Sequence, residues 1–144
     1  MIAILYGRSK EKLNLKEAEK ESCHYLQLVG LLPKKDLSAR NLNIVERKCL
    51  EIARALAIQP SLLLLDELFA GLNPTKAAKM TSLIRTINEN GITIILIENL
   101  MKIIMELSSR IIVLNYGVKI AEGSPDEVIT NQRVIEAYLG KDIL

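Results

Sequence analysis

Aromatic residues are scarce. They make up 3% of the 144 residues, with four tyrosines, one phenylalanine and no tryptophan. That excludes a base-stacking platform for single-stranded nucleic acid. Cysteine is equally thin: Cys23 and Cys49 stand alone, so the chain has no disulfide scaffold and no zinc or redox spacing. The single histidine, His24, reads as a partly exposed helix residue. No apolar run is long. Leu62–Leu65 and Ile94–Ile97 fall far short of a membrane span of about 20 residues. Neither sign of charge dominates, since 19 basic residues face 17 acidic ones for a net +2. Their even spread argues against a nucleic-acid surface. The apolar opening Met1–Tyr6 lacks a charged start and a long apolar stretch, so it does not read as a signal peptide and a cytosolic protein is expected. What remains is 49% hydrophobic and 25% charged, enough for one globular domain with a real core.

The apolar periodicity gives an α/β pattern. Leu15, Ala18, Ser22, Tyr25, Leu26, Val29 and Leu32 share one helical face, with Pro33 expected as the stop. A second helical pattern runs from Asn43 to about Ala57, closed by Gln59-Pro60. Ser61–Leu65 is continuously apolar and ends in Asp66-Glu67, which suits a strand buried on both faces of a parallel sheet. Asn73-Pro74 reads as an N-cap with proline at the first helical position, and Gly91 as the C-terminal stop. Ile92–Ile97 is a β-branched strand ending at Glu98. Strand, helix and strand with short links form a βαβ unit. A short helix over Leu100–Leu107 follows, then a strand over Arg110–Leu114. A turn at Asn115-Tyr116-Gly117 leads to a hairpin partner over Val118–Ala121. Ser124-Pro125-Asp126-Glu127 is a capping box, and Arg133–Leu139 forms a last helical stretch.

Two carboxylates at the carboxyl end of an apolar parallel strand sit where α/β folds bind ligands. Adjacent residues on an extended chain point apart, so Asp66 and Glu67 suit a division of labour between a metal ion and a water, as phosphoryl transfer to water requires. The surroundings sharpen this. Leu50–Ala57 stands just before the acidic strand and Ala70-Gly71-Leu72-Asn73-Pro74 just after it. The tail carries Ile120–Pro125 and Arg133–Gly140. In these segments, from about Leu13 to Gly140, the chain resembles the ATP-binding subunit of ABC transporters, of the branched-chain amino-acid importer type.

The resemblance implies a P-loop NTPase core, mostly a parallel sheet with flanking helices, and ATP and Mg²⁺ as ligands. It implies that Asp66 holds Mg²⁺ through water and that Glu67 is the general base. Gly71, Leu72 and Asn73 fall in the loop after the acids that touches a second ATP-binding subunit. It also implies a membrane permease partner, so that the assembled protein is peripheral to the inner face of the cell membrane. On this reading residues 1–144 form one truncated domain, with about 10–58 as helical subdomain and signature helix and 59–144 as the half that carries the acids.

The departures are as informative as the matches. None of the seven glycines opens the phosphate-loop pattern G-x-x-x-x-G-K-S/T. Gly7-Arg8-Ser9 is a faint echo, with Ile2 where the first glycine belongs. Without that loop no cradle of backbone N–H groups and no lysine meets the β- and γ-phosphates. The family's adenine-stacking segment and glutamine loop are absent from the chain too. The family's signature L-S-x-G-Q falls on Leu42-Asn43-Ile44-Val45-Glu46, while Leu37–Asn41 looks similar but is out of frame. Val45 adds a branched side chain where glycine lets the backbone approach a nucleotide. Glu46 brings a carboxylate toward a polyphosphate, a repulsion of about 1–4 kcal/mol depending on the dielectric. The favoured reading of Asn43 and Glu46 is an N-cap and its N3 partner. The family's switch histidine falls on Asn99, which can donate a hydrogen bond but cannot carry an imidazolium charge, and Leu68 stands where a proline usually follows the acids.

Losing several cooperating electrostatic contacts commonly costs orders of magnitude in rate, so the chain alone is expected to have no significant ATPase activity. Three readings stay open: a defective ATP-binding subunit, a non-catalytic module that pairs with an intact ATPase subunit or a permease, and half of a split ATPase. The family's phosphate-loop strand lies between the strands matching Ile92–Ile97 and Arg110–Leu114. Its absence leaves two expected arrangements: those strands pair directly, or an apolar edge stays open and draws in another chain, with self-association as one outcome. The segment Ile2-Ala3-Ile4-Leu5 is a candidate filling strand.

Overall fold

The computed structural model describes residues 1–7 and 13–139. Arg8 and Ser9 of the phosphate-loop echo, and Gly140 of the tail motif, lie outside the described residues. The chain divides into two compact units, Met1–Ile97 and Glu98–Leu144.

The first unit contains α1 (Ile2–Gly7), α2 (Leu15–Leu28), α3 (Ile44–Leu56), β1 (Leu62–Asp66), α4 (Pro74–Glu89) and β2 (Thr93–Ile97). The candidate filling strand is helical instead. The Ile4 and Leu5 N–H groups donate to the Met1 carbonyl at 3.0 and 3.1 Å. Ile4 is fully buried in a cluster with Ala18 of α2 and Ala57 at the end of α3. A strand needs a partner edge for its backbone groups, whereas a helix satisfies them locally.

A capping box between Asn14 and Glu17 starts α2. The helix ends before the proline expected to stop it. Gly30 adopts φ +74°, its N–H donates to the Gln27 carbonyl at 3.0 Å, and the Leu31 N–H donates to the Leu26 carbonyl at 2.7 Å. This is a Schellman motif, in which glycine carries the left-handed turn. Leu32–Lys34, with Pro33, form a separate 3₁₀ turn. The second helix, α3, occupies its expected span behind the Asn43 cap. Asn73 caps α4, Pro74 opens it, and Asn90 with Gly91 closes it. On α4, Met80, Ile84 and Ile87 are buried at helical spacing.

β1 and β2 pair in parallel, Leu62 opposite Thr93 through Asp66 opposite Ile97. Their two faces differ. Leu63 and Leu65 are buried, but Leu62 is 46% exposed, Leu64 67%, Ile95 49% and Ile97 59%. The expectation of a strand buried on both faces is therefore corrected to one buried face and one open face. The reason is that the described residues lay cover over one side of this parallel pair only, where such sheets are ordinarily covered on both.

The second unit contains α5 (Met101–Leu107), β3 (Ile111–Asn115), β4 (Val118–Gly123), α6 (Pro125–Ile129) and α7 (Gln132–Leu139). β3 and β4 form the expected hairpin, turned by Tyr116 at φ +48° and Gly117 at φ +78°. Two successive positive φ values match the twist of a two-residue hairpin loop. Ile111, Val128 and Val134 form the core of this unit. Ser124 and Glu127 make the expected capping box on α6. Among the described strands β2 pairs only with β1, and β3 only with β4.

Candidate functional site

The site begins where β1 stops. The Glu67 N–H still follows the ladder, donating to the Ile97 carbonyl at 3.0 Å. Glu67 then takes φ +46°, a left-handed conformation that costs a non-glycine residue about 1–2 kcal/mol. The turn drives Leu68 and Phe69 inward, at 7% and 1% exposure, and leaves the Asp66 and Glu67 side chains exposed. Leu68, the residue standing where the family's proline would be, is thus an anchor of this loop. The loop tightens through Ala70 N–H to the Glu67 carbonyl at 3.3 Å and Leu72 N–H to the Phe69 carbonyl at 3.1 Å. Gly71 has φ +75°. Asn73 closes the loop by accepting the Lys76 N–H on its side-chain oxygen at 2.9 Å.

The segment Asn43–Glu46 forms a complete capping box. The Asn43 side-chain oxygen accepts from the Val45 and Glu46 N–H groups at 3.0 and 3.1 Å, and the Asn43 N–H donates to Glu46 Oε2 at 3.1 Å. Ile44 is exposed and Val45 is half-buried. Lys34 reaches Glu46 Oε1 at 2.6 Å. The Lys34 hydrogen bond, then the Asn43 backbone bond, hold the Glu46 carboxyl below its ordinary value. Its charge is therefore engaged by a cation and by the helix start, a pairing that the like-charge argument from sequence did not include.

Two residues organise this region: Lys34, which the sequence places in a short charge run expected to be a solvated turn, and Lys48, to which it assigns no role. Lys34 lies twelve residues before its partner, at a separation that no local pattern reports. Lys48, on α3, donates to three loop carbonyls: Glu67 at 3.3 Å, Leu68 at 2.7 Å and Ala70 at 2.9 Å. Its neighbour Arg47 similarly reaches the Leu42 and Arg40 carbonyls at 2.9 and 3.2 Å. Asn99 belongs to the second unit; it is exposed, and its backbone carbonyl accepts from the Tyr138 hydroxyl at 3.4 Å. His24 is exposed on α2, with its ring edge-on to Tyr25 at 5.4 Å. Both cysteines are free thiols, and burial pushes the Cys49 thiol up.

Among the described residues no group of three or more histidine, cysteine or acidic side chains could hold a metal. One exposed carboxylate, Asp66, is what a Mg²⁺ arriving with a nucleotide needs from a protein, because that ion keeps several waters and takes phosphate oxygens as further ligands. The donor set thus fits a nucleotide-borne cation and does not form a protein cage. No described helix is long and apolar enough to cross a membrane.

Residues 118–143 match the family model described as branched-chain amino acid ATP-binding cassette transporter. The chain is 42% identical over 126 residues to the high-affinity branched-chain amino acid transport ATP-binding protein LivG of Salmonella typhimurium, covering 87% of this chain and 49% of that protein. It is 39% identical over 127 residues to the corresponding protein BraF of Pseudomonas aeruginosa, covering 88% and 50%. In structure it is similar to the ADP conformation of MJ1267, an ATP-binding cassette of an ABC transporter. That likeness has a TM-score of 0.80 at 27% identity, covering 92% of this chain and 54% of that one. The chain spans about half the length of the curated relatives it matches. With its acid-ended strand, its fold and these relatives in agreement, the chain belongs to the ATP-binding cassette family, and the relatives it matches over about half their length are branched-chain amino acid transport ATP-binding proteins.

Proposed function

We propose that this chain carries the acid-bearing part of an ATP-binding subunit for branched-chain amino-acid import, a part that needs the phosphate-loop part of the fold to hydrolyse ATP. The observation that carries this reading is the open face of the β1–β2 pair. Leu62, Leu64, Ile95 and Ile97 stand exposed beside the strand that ends in Asp66 and Glu67. A parallel sheet needs cover on both faces, and the part of the relatives that this sequence does not span is what would provide it.

In the assembled subunit Asp66 would hold Mg²⁺, and the ion would supply neutralisation of developing charge on the phosphates. Glu67, exposed at the loop, accepts a proton from the attacking water. Gly71, Leu72 and Asn73 present the loop to a second ATP-binding subunit. Asn43, Ile44, Val45 and Glu46 occupy the signature position, with Glu46 already engaged by Lys34, and Asn99 occupies the switch position as a neutral donor. The permease would hold the assembly at the inner face of the cell membrane. A second reading, a non-catalytic module that pairs with an intact subunit or a permease, is favoured by the capping box at the signature position, which consumes the Asn43 side chain within its own helix.

Phosphate release measured by malachite green in Mg-ATP tests the first reading. The chain alone is expected to give no turnover. Co-expressed with the N-terminal half of Salmonella typhimurium LivG, it is expected to hydrolyse ATP, and Glu67→Gln should abolish that activity. Turnover by the chain alone, or a complex indifferent to Glu67→Gln, overturns the reading.

A further inference from the structure

We infer that Lys48 is the positioning residue for Glu67: its ammonium clamps the loop after β1 by gathering the carbonyls of Glu67, Leu68 and Ala70. The inference rests on the reading of Glu67 as the general base. An ammonium has three protons and no acceptor, and here three carbonyl oxygens lie 2.7–3.3 Å from it. These carbonyls come from one tight turn, in which Glu67 is left-handed at φ +46°. A residue in that conformation persists only where its surroundings over-determine it. The surroundings are the Ile97 carbonyl on the Glu67 N–H, the buried anchors Leu68 and Phe69, and the cation on the Glu67 carbonyl. Charge-assisted hydrogen bonds are about twice as strong as neutral ones, which makes the cation the largest polar restraint on the turn.

Lys48 also couples two segments distant in sequence. It stands on α3, the helix that begins at the Asn43–Glu46 capping box, and its carbonyl partners lie 19, 20 and 22 residues further along. One helix therefore sets both the signature-position segment and the Glu67 turn, and a tilt of α3 would carry the Glu67 turn with it.

The test uses the full chain with Lys48→Met, which keeps the aliphatic stem and removes the donors, and with Lys48→Arg, which keeps the charge. Amide hydrogen exchange of Glu67 and Ala70 should accelerate about tenfold in Lys48→Met, the scale of a lost charged hydrogen bond. Exchange at Ile84 and Ile87 of α4 should stay unchanged, and Lys48→Arg should restore most of the protection. Unchanged exchange at Glu67 and Ala70 overturns the proposal, and so does equal acceleration at all slow amides, which would make Lys48 a general stabiliser. In the co-expressed complex Lys48→Met should lower kcat with KM for ATP unaltered; a fall in apparent affinity alone overturns the positioning role. If the wild-type complex shows no turnover, the reading of Glu67 as base fails, and the exchange data still judge the clamp.

Discussion

Glu46 and Glu127 do the same work at two helix starts, each folding back to the backbone N–H three residues before it. Both patterns were legible in the sequence, because a capping box is a local arrangement of an acceptor and an acid three residues apart. The Ser124 backbone bond, followed by its side-chain bond, holds the Glu127 carboxyl below its ordinary 4.5. A depressed folded-state pKa gives stability that is present above the unfolded value and is lost as pH falls through the folded one. Glu127→Gln should therefore lower the melting temperature at neutral pH, where the carboxylate's contribution is present, and converge with wild type as pH falls below about 4.5, so that the acid limb is flatter. An unaltered acid limb in the variant would assign that pH dependence elsewhere. By contrast, Lys34 and Lys48 carried no sequence signal. Each owes its role to a partner twelve or more residues away, so only the folded chain brings cation and acceptor together.

At the scale of elements, most boundaries follow from local chemistry, and the exceptions have physical causes. Pro33 drew attention as the stop of α2, but Gly30 ends it three residues sooner by supplying the left-handed turn that lets Leu31 cap the last carbonyls. A Cβ at Gly30 would meet nothing within 4 Å, so the cost of Gly30→Ala is backbone strain alone. It is expected to be about 1 kcal/mol, or roughly 2–4 °C in melting temperature for a chain of this size, read by thermal unfolding. No loss would mean that the turn tolerates a side chain. The Ile2–Leu5 segment shows the opposite failure. Its apolar residues suit strand or helix, and period alone cannot arbitrate over so few positions. Burial of Ile4 against Ala18 and Ala57 decided for the helix.

Across the whole molecule, the open sheet face is the feature with most consequence. Leu64 is 67% exposed and Ile95 49%, whereas Leu63 on the other face is 5% exposed. In the chain alone, Leu64→Asp should leave stability within about 0.5 kcal/mol of wild type, as surface substitutions do, and should reduce self-association in sedimentation velocity. Leu63→Asp should unfold the chain, because it buries an unpaired charge. Equal damage from both variants would show that the Leu64 face is covered in solution. The amino-acid sequence by itself determined the capping boxes, the hairpin turn, the βαβ order and the paired acids ending an apolar strand, because each depends on residues near one another along the chain. Only the tertiary structure decided which face of β1 is buried, that Ile2–Leu5 is helical, and that Lys48 grips the Glu67 turn, because those outcomes depend on which distant segments supply cover or a hydrogen-bond partner.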